Sequence, residues 1–286
     1  MLDVWKRIED IDISKHIIWN DIKELIIECD IDNGELIDLP PNLSKLLCNN
    51  ANIRKFHYLP DNLTHLNCQN NELSEFPDLP HTLTTLICGG NLFKKLPQLS
   101  NTIQYLNISW NFNFGEKYLF ELSELPKNLI RLDCAANKLS EIPKLPENLL
   151  YLICNSNNLC KLPELPKKLS YLDCENNKLL ELPELPDSLT HLYCSRNCLT
   201  NLPKLPNNLQ ELLFTHNKIL TIPKISELPN NLIKFDGSDN ICHTFETLFH
   251  DTNEQNINIQ DNRSLMSHFF EICFLIILVC IIIYFF

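Results

Sequence analysis

Cysteine, histidine and asparagine are the residues of this 286-residue chain whose spacing could carry chemistry. The 13 cysteines could form disulfides, hold a soft metal or act as nucleophiles. Seven of them, Cys48, Cys68, Cys88, Cys134, Cys154, Cys174 and Cys194, recur at one position of a repeating pattern. Zinc sites need closely spaced thiols or thiols with histidines. No Cys-x-x-Cys pair exists, and His65, His191 and His216 are too dispersed to complete a site. Thiols leaving neighbouring strands in parallel do not suit disulfide geometry. The column therefore reads as small buried hydrophobes facing a core. Dinucleotide-binding, P-loop, nucleophile-elbow and zinc-protease motifs are missing from the sequence. With only 5 glycines, a phosphate-cradling loop is not expected. The expectation is a non-catalytic chain with no cofactor and no metal.

The cysteines point to a ladder. Leu-Pro begins at Leu39, Leu59, Leu79, Leu125, Leu145, Leu165, Leu185, Leu205 and Leu228, with Leu99-Ser100 in its place once. The steps are 20 residues except for one of 26 and one of 23. The unit is LPxxLxxLxCxxNxLxxLPx, and the stretch from Leu165, LPKKLSYLDCENNKLLELPE, is a clean copy. One apolar column runs Leu46, Leu66, Leu86, Leu106, Leu132, Leu152, Leu172, Leu192, Leu212, Phe235. In the cysteine column Ile108, Phe214 and Gly237 stand in for the thiol. Asn71, Asn91, Asn111, Asn137, Asn157, Asn177, Asn197, Asn217 and Asn240 form a further column, with Ala51 in the first repeat.

LxxLxC alternates apolar and polar residues as a strand does. A single repeat cannot cover its own apolar face, so the strands must stack in parallel around a shared core. Each step advances about 4.8 Å, giving an arc on the order of 50 Å. Where the chain turns out of the strand, inward backbone groups lose their sheet partners. A buried carboxamide, with donors and an acceptor, can satisfy them from rung to rung. All 17 prolines lie between Pro40 and Pro229, on the return path. Proline fixes φ near polyproline II, so extended or polyproline II backs are expected on the convex side.

These columns closely resemble the leucine-rich-repeat superfamily over roughly residues 20 to 240. The short LPxxL form is similar to repeats of bacterial secreted effectors and of proteins from large amoeba-infecting viruses. It also resembles amoebal FNIP-type repeats, although their Phe-Asn-Ile-Pro signature does not occur here. The resemblance implies a solenoid that binds proteins, with a parallel sheet on its concave face. The separate ubiquitin-ligase domain of the effectors finds no room in this sequence.

On that concave face the second, third and fifth letters of LxxLxC meet solvent, and the third and fifth make two rows. One row is Lys45, His65, Thr85, Tyr105, Arg131, Tyr151, Tyr171, His191, Glu211, Lys234. The other is Leu47, Asn67, Ile87, Asn107, Asp133, Ile153, Asp173, Tyr193, Leu213, Asp236. Four of the 7 tyrosines fall in these rows, and Tyr and Arg are the usual anchors of protein interfaces. Tyr105, Arg131, Tyr151, Tyr171, His191 and Tyr193 are the expected partner-binding residues of a monomeric solenoid. A tolerant β-surface, on which aromatics are favoured anyway, would carry the same residues. The net charge of -12 argues against nucleic acid, whose phosphates need a basic face.

The expected organisation is an N-terminal cap and degenerate leading repeat over 1–38, about ten repeats over 39–242, and a polar linker or cap over 243–268. In the leading segment Ile22, Leu25 and Ile27 take the first three apolar positions. The fourth repeat is stretched within Asn111 to Glu124, where Phe112, Phe114, Tyr118 and Phe120 crowd. That stretch reads either as a convex bulge tucking aromatics inward or as a protruding contact loop. Residues 269–286, FFEICFLIILVCIIIYFF, are apolar but for Glu271. As a helix they would span about 27 Å, near the roughly 30 Å hydrocarbon core. No apolar secretory signal is visible at the N-terminus. The expectation is a single-pass tail anchor with the repeats facing the cytosol, in a host membrane if the protein is viral. Two alternatives stay open: an adaptor recruiting targets for ubiquitination through its N-terminal segment, and a structural viral or membrane protein.

Overall fold

A computed structural model describes residues 16–31, 33–111, 122, 124–221 and 228–241. After a short helix, α1 (His16–Asp21), come thirteen strands: β1 (Glu24–Ile26), β2 (Glu35–Leu36), β3 (Lys45–Leu47), β4 (Lys55–Phe56), β5 (His65–Asn67), β6 (Thr85–Ile87), β7 (Tyr105–Asn107), β8 (Arg131–Asp133), β9 (Tyr151–Ile153), β10 (Tyr171–Asp173), β11 (His191–Tyr193), β12 (Glu211–Leu213) and β13 (Lys234–Asp236). Eleven of them form one parallel sheet in the order β1-β3-β5-β6-β7-β8-β9-β10-β11-β12-β13. The register never slips: Leu25 lies beside Leu46, Leu46 beside Leu66, and so on to Leu212 beside Phe235. A slip of one residue would turn every central leucine to solvent, so burial of that column fixes the pairing. From Leu46 to Leu212 the central residues are at most 1% exposed.

Each LPxxL closes a four-residue turn. The proline carbonyl accepts the N–H of the leucine three residues on, as in Leu169 to Pro166 at 3.0 Å and Leu189 to Pro186 at 3.0 Å. Proline suits this role because it offers a carbonyl and needs no donor partner. The turn delivers the chain to the strand entry, where hydroxyls tie successive rungs. Thr84 Oγ1 donates to the Thr64 carbonyl and Thr64 Oγ1 to that of Ser44.

At the strand exit the asparagines do what the sequence requires of them. Asn157 Nδ2 donates to the carbonyls of Cys134 and Cys154, both at 3.0 Å. Its Oδ1 accepts the N–H groups of Asn137 and Leu139 from the preceding repeat. Asn71, Asn177, Asn197 and Asn217 bridge consecutive repeats in the same way. The residue just before each asparagine takes a positive φ: Asn70, Trp110, Ala136, Ser156, Asn176, Arg196, His216 and Asp239. Before Asn91 the position is held by a glycine, Gly90. This left-handed turn costs a side-chain-bearing residue about 1–2 kcal/mol, and persists because the ladder over-determines it.

The seven column cysteines are free and fully buried, packed in one core cluster with the leucines. Burial raises their thiols well above the ordinary range, so they are inert hydrophobes. Near the C-terminal end the column trades sizes. The Phe214 ring fills the space that a Cβ on Gly237 would occupy.

Two features of the back depart from the expectation of extended segments alone. Strands β2 and β4 pair as a small second sheet behind the first repeats. Beside it Phe56, Phe76 and Phe93 stack, with centroids 6.4 and 4.6 Å apart. Pairing is possible there because Glu35–Leu36 and Lys55–Phe56 contain no proline to interrupt the ladder. Among the described residues the convex segments contain no helix.

The bulk of the fourth-repeat insertion, 112–121 and 123, lies outside the described residues. At its edge Asn111 Oδ1 is buried without a hydrogen-bond partner, the one such side-chain atom among the described residues. Across the stretch itself the ladder holds: the Asn111 N–H donates to Asn137 Oδ1 and Asn137 Nδ2 to the Ile108 carbonyl. The expected membrane helix over 269–286 and the linker over 243–268 also lie outside the described residues, as do residues 1–15 of the expected cap. Among the described residues no helix is long and apolar enough to cross a membrane.

Replacing Asn157 by leucine strands several buried carbonyl and N–H groups, each worth about 1–3 kcal/mol when left unpaired. Urea unfolding of Asn157→Leu should show a loss of roughly 3 kcal/mol or more. Cys154→Ala, which removes only packing, should lose about 1 kcal/mol. Similar losses for the two variants would contradict the division of roles.

Candidate protein-binding face

The parallel register places one side chain of each row beside its counterpart on the next strand. Tyr105, Arg131, Tyr151, Tyr171, His191, Glu211 and Lys234 follow one another across seven strands. Two residues further on, on the same face, the second row brings Asp133, Ile153, Asp173, Tyr193 and Leu213 together.

Five of the six expected site residues form one contiguous patch. The Arg131 guanidinium sits 5.8 Å from the Tyr151 ring centroid. Tyr151 and Tyr171 have centroids 6.1 Å apart, and Tyr171 and His191 5.7 Å. Tyr193 meets Tyr171 edge-on at 5.5 Å and His191 at 6.3 Å. These separations and tilts are those aromatic pairs prefer. Tyr105 is 44% exposed and lies beside Arg131 in register. Among the described residues its ring is not part of the stacked group.

The structure adds Glu211 and Lys234 to the patch. Tyr193 Oη donates to Glu211 Oε2 at 2.6 Å, and Lys234 Nζ is 3.5 Å from that same oxygen. Lys234 also lies 5.8 Å from the Tyr193 centroid, and His191 Nε2 is 3.9 Å from Glu211 Oε1. Burial and the bond to Glu211 push the Tyr193 hydroxyl well above its ordinary range. Glu211 and Lys234 stand in the same row as the tyrosines. Their pairing is visible only through the distances between neighbouring strands.

Asp173 is the unusual group on this face. Its Oδ1 accepts the Glu175 N–H at 3.1 Å. Burial pushes its carboxyl up to about 7, against that hydrogen bond and with the help of the Glu175 and Asp133 charges. The Asp133 carboxyl is also raised by burial, opposed by the Ala135 N–H and the Arg131 charge. The arrangement offers recognition by rings and charges. Among the described residues no group of His, Cys, Asp and Glu is placed to hold a metal ion.

No protein-family model matches the chain, and no curated protein does. Solved structures do. YopM from Yersinia enterocolitica WA-314 aligns with 34% identity and a TM-score of 0.61, covering 73% of this chain and 49% of that one. The functional domain of InlJ from Listeria monocytogenes, which includes a cysteine ladder, aligns with 28% identity and a TM-score of 0.63, covering 76% and 48%. Leptospira interrogans LRR protein LIC12759, at 24% identity and TM-score 0.52 over 72% of this chain and 65% of that one, shares the fold. The chain is a leucine-rich-repeat protein. This leucine-rich-repeat chain spans about half the length of the YopM and InlJ structures. The leucine-rich-repeat likeness read from its columns thus has a counterpart in three dimensions.

Asp173 makes a prediction about stability. Its folded carboxyl is raised above the ordinary 3.8, so between about pH 4 and 7 the folded state holds a proton the unfolded chain has lost. Its contribution is fully favourable below that window and is lost as pH rises through it. Glu175 and Asp133 act on the same carboxyl and Tyr193 lies beside it in register, so the test compares wild type with Asp173→Asn. Asparagine fits this column, since Asn67 and Asn107 accept the same N–H there. The thermal midpoints should nearly coincide near pH 4. At pH 8 the variant should be the more stable, by on the order of 1 kcal/mol after discounting for solvent screening. A pH-independent difference would contradict the assignment.

Proposed function

We propose that this chain is a non-catalytic scaffold that binds a protein partner through the concave face of its repeats. We further propose that residues 269–286 hold it at a membrane with the repeats in the cytosol. The observation that carries the first part is the unbroken patch of Arg131, Tyr151, Tyr171, His191 and Tyr193 on the strand-lined side. Rings packed against one another lose little further freedom on binding, and tyrosine offers both apolar area and a polar tip. A solenoid lends its concave surface to such contacts because every rung contributes side chains to one continuous face. The cysteine column takes no part in this reading. It is the packed interior that supports the face, whatever the cysteine ladder of InlJ does in that protein.

The membrane part rests on the apolar run of Ile272–Phe286, uninterrupted by charge. A backbone entering hydrocarbon must satisfy its own polar groups, which favours a helix there.

Proximity labelling in cells tests both parts. The full chain should label a membrane compartment and a defined set of neighbours. Joint substitution Tyr151→Ala, Tyr171→Ala and Tyr193→Ala should keep the compartment and lose the partner. Removing 269–286 should lose the compartment. Neighbours unchanged by the triple substitution would reject the face, and an unchanged compartment after truncation would reject the anchor.

A further inference from the structure

The later half of the concave face is divided by charge. On the strand-entry row, Arg131 caps one end of the rings and Glu211 is neutralised by Lys234 at the other. The strand-exit row reads Asp133, Ile153, Asp173, Tyr193, Leu213, Asp236 and carries no basic residue. Glu175 follows Asp173 by two positions. Asp133 has both oxygens partnered, by the Ala135 N–H and by Asn107 Nδ2. Asp173 and Glu175 enter no ion pair among the described residues, and only one Asp173 oxygen has a donor.

Asp173 lies beside Tyr193 in register and two residues after Tyr171 on its own strand. The two rings meet edge-on at 5.5 Å. We propose that this sheet face takes an extended basic segment of a protein partner, seating an arginine or lysine side chain against the Tyr171 and Tyr193 rings and the Asp173 and Glu175 carboxylates. The inference rests on the concave-face reading above and names the chemistry of its partner.

Three features favour this occupant. A cation over a tyrosine ring and beside a carboxylate gains from both. A carboxyl raised by burial, as Asp173 is, recovers its lost hydration when a cation arrives. Asp133, each of whose oxygens has one neutral donor and can accept a second, and Asp173 are two strand steps apart, roughly 9.6 Å. A polyproline II segment repeats every third residue at about 9.3 Å, so basic residues at i and i+3 match that spacing. Phosphate-bearing partners and anionic lipid would meet the carboxylates unfavourably. A second copy of this chain, itself at net charge -12, would as well.

The probe is a fluorescent (Pro-Pro-Arg)4 peptide, titrated by anisotropy against the full chain at pH 8 and about 0.1 M salt, where diffuse attraction is largely screened. The expected result is saturable binding, with no binding of (Pro-Pro-Gln)4. Asp173→Asn and Tyr171→Ala should each weaken it about tenfold. Glu147→Gln, on an exposed turn of the convex side, should leave it within about twofold. No binding of the arginine peptide would overturn the proposal. So would equal binding of the glutamine peptide, or equal weakening by Asp173→Asn and Glu147→Gln. If the peptide fails while the triple tyrosine substitution still removes the partner in cells, the basic chemistry falls and the concave face stands. If the triple substitution also has no effect, both fall.

Discussion

The asparagine carboxamide at each strand exit is the interaction on which the rest of this structure depends. It joins the carbonyls of two successive cysteine-position residues and accepts N–H groups from the rung before. A chain that leaves a three-residue strand and reverses within 20 residues exposes many inward backbone groups at once. Without the carboxamide they would be buried and unpaired, and each would cost about as much as a sizeable fraction of a domain's net stability. With it the turn can be tight, the repeat can omit a helix, and the left-handed residue before each asparagine is held in place.

The functional face follows from that constraint. Because rung after rung is bonded to its neighbours at the same atoms, the eleven strands of the main sheet keep one register and residues of one column become neighbours. Side chains 20 residues apart in sequence then touch, which is why Tyr151, Tyr171 and His191 make a row and why Arg131 and Lys234 flank it. The cysteines contribute by being small. A thiol column leaves room for the central leucines, and where Phe214 replaces a thiol, Gly237 yields the space next to it.

Much of this is legible in the amino-acid sequence. The leucine, cysteine and asparagine columns are periodic, and the physics of burying an amide dictates what the asparagines do. The solvent-facing rows follow from strand alternation. The features that periodicity does not reveal depend on distance or conformation. The left-handed residue is disguised because Trp110, Ala136, Arg196 and His216 share no side-chain chemistry. The β2–β4 pairing occupies only the first repeats, and two-residue strands leave no periodicity to read. The raised Asp173 carboxyl arises from burial and from the neighbouring Glu175 and Asp133 charges, which the folded sheet sets and the repeat pattern does not. The orphaned Asn111 oxygen likewise has no counterpart in the periodic pattern.

Native-state hydrogen exchange tests the central role of the carboxamides most directly. The N–H groups of Leu73, Leu139, Leu159, Leu179 and Leu199 sit outside the strands and donate to the Oδ1 of Asn91, Asn157, Asn177, Asn197 and Asn217. They should exchange as slowly as the central strand amides of Leu152 and Leu172, opening only with the stack. Exchange of these leucine amides as fast as that of Lys168, in an exposed turn, would contradict the account.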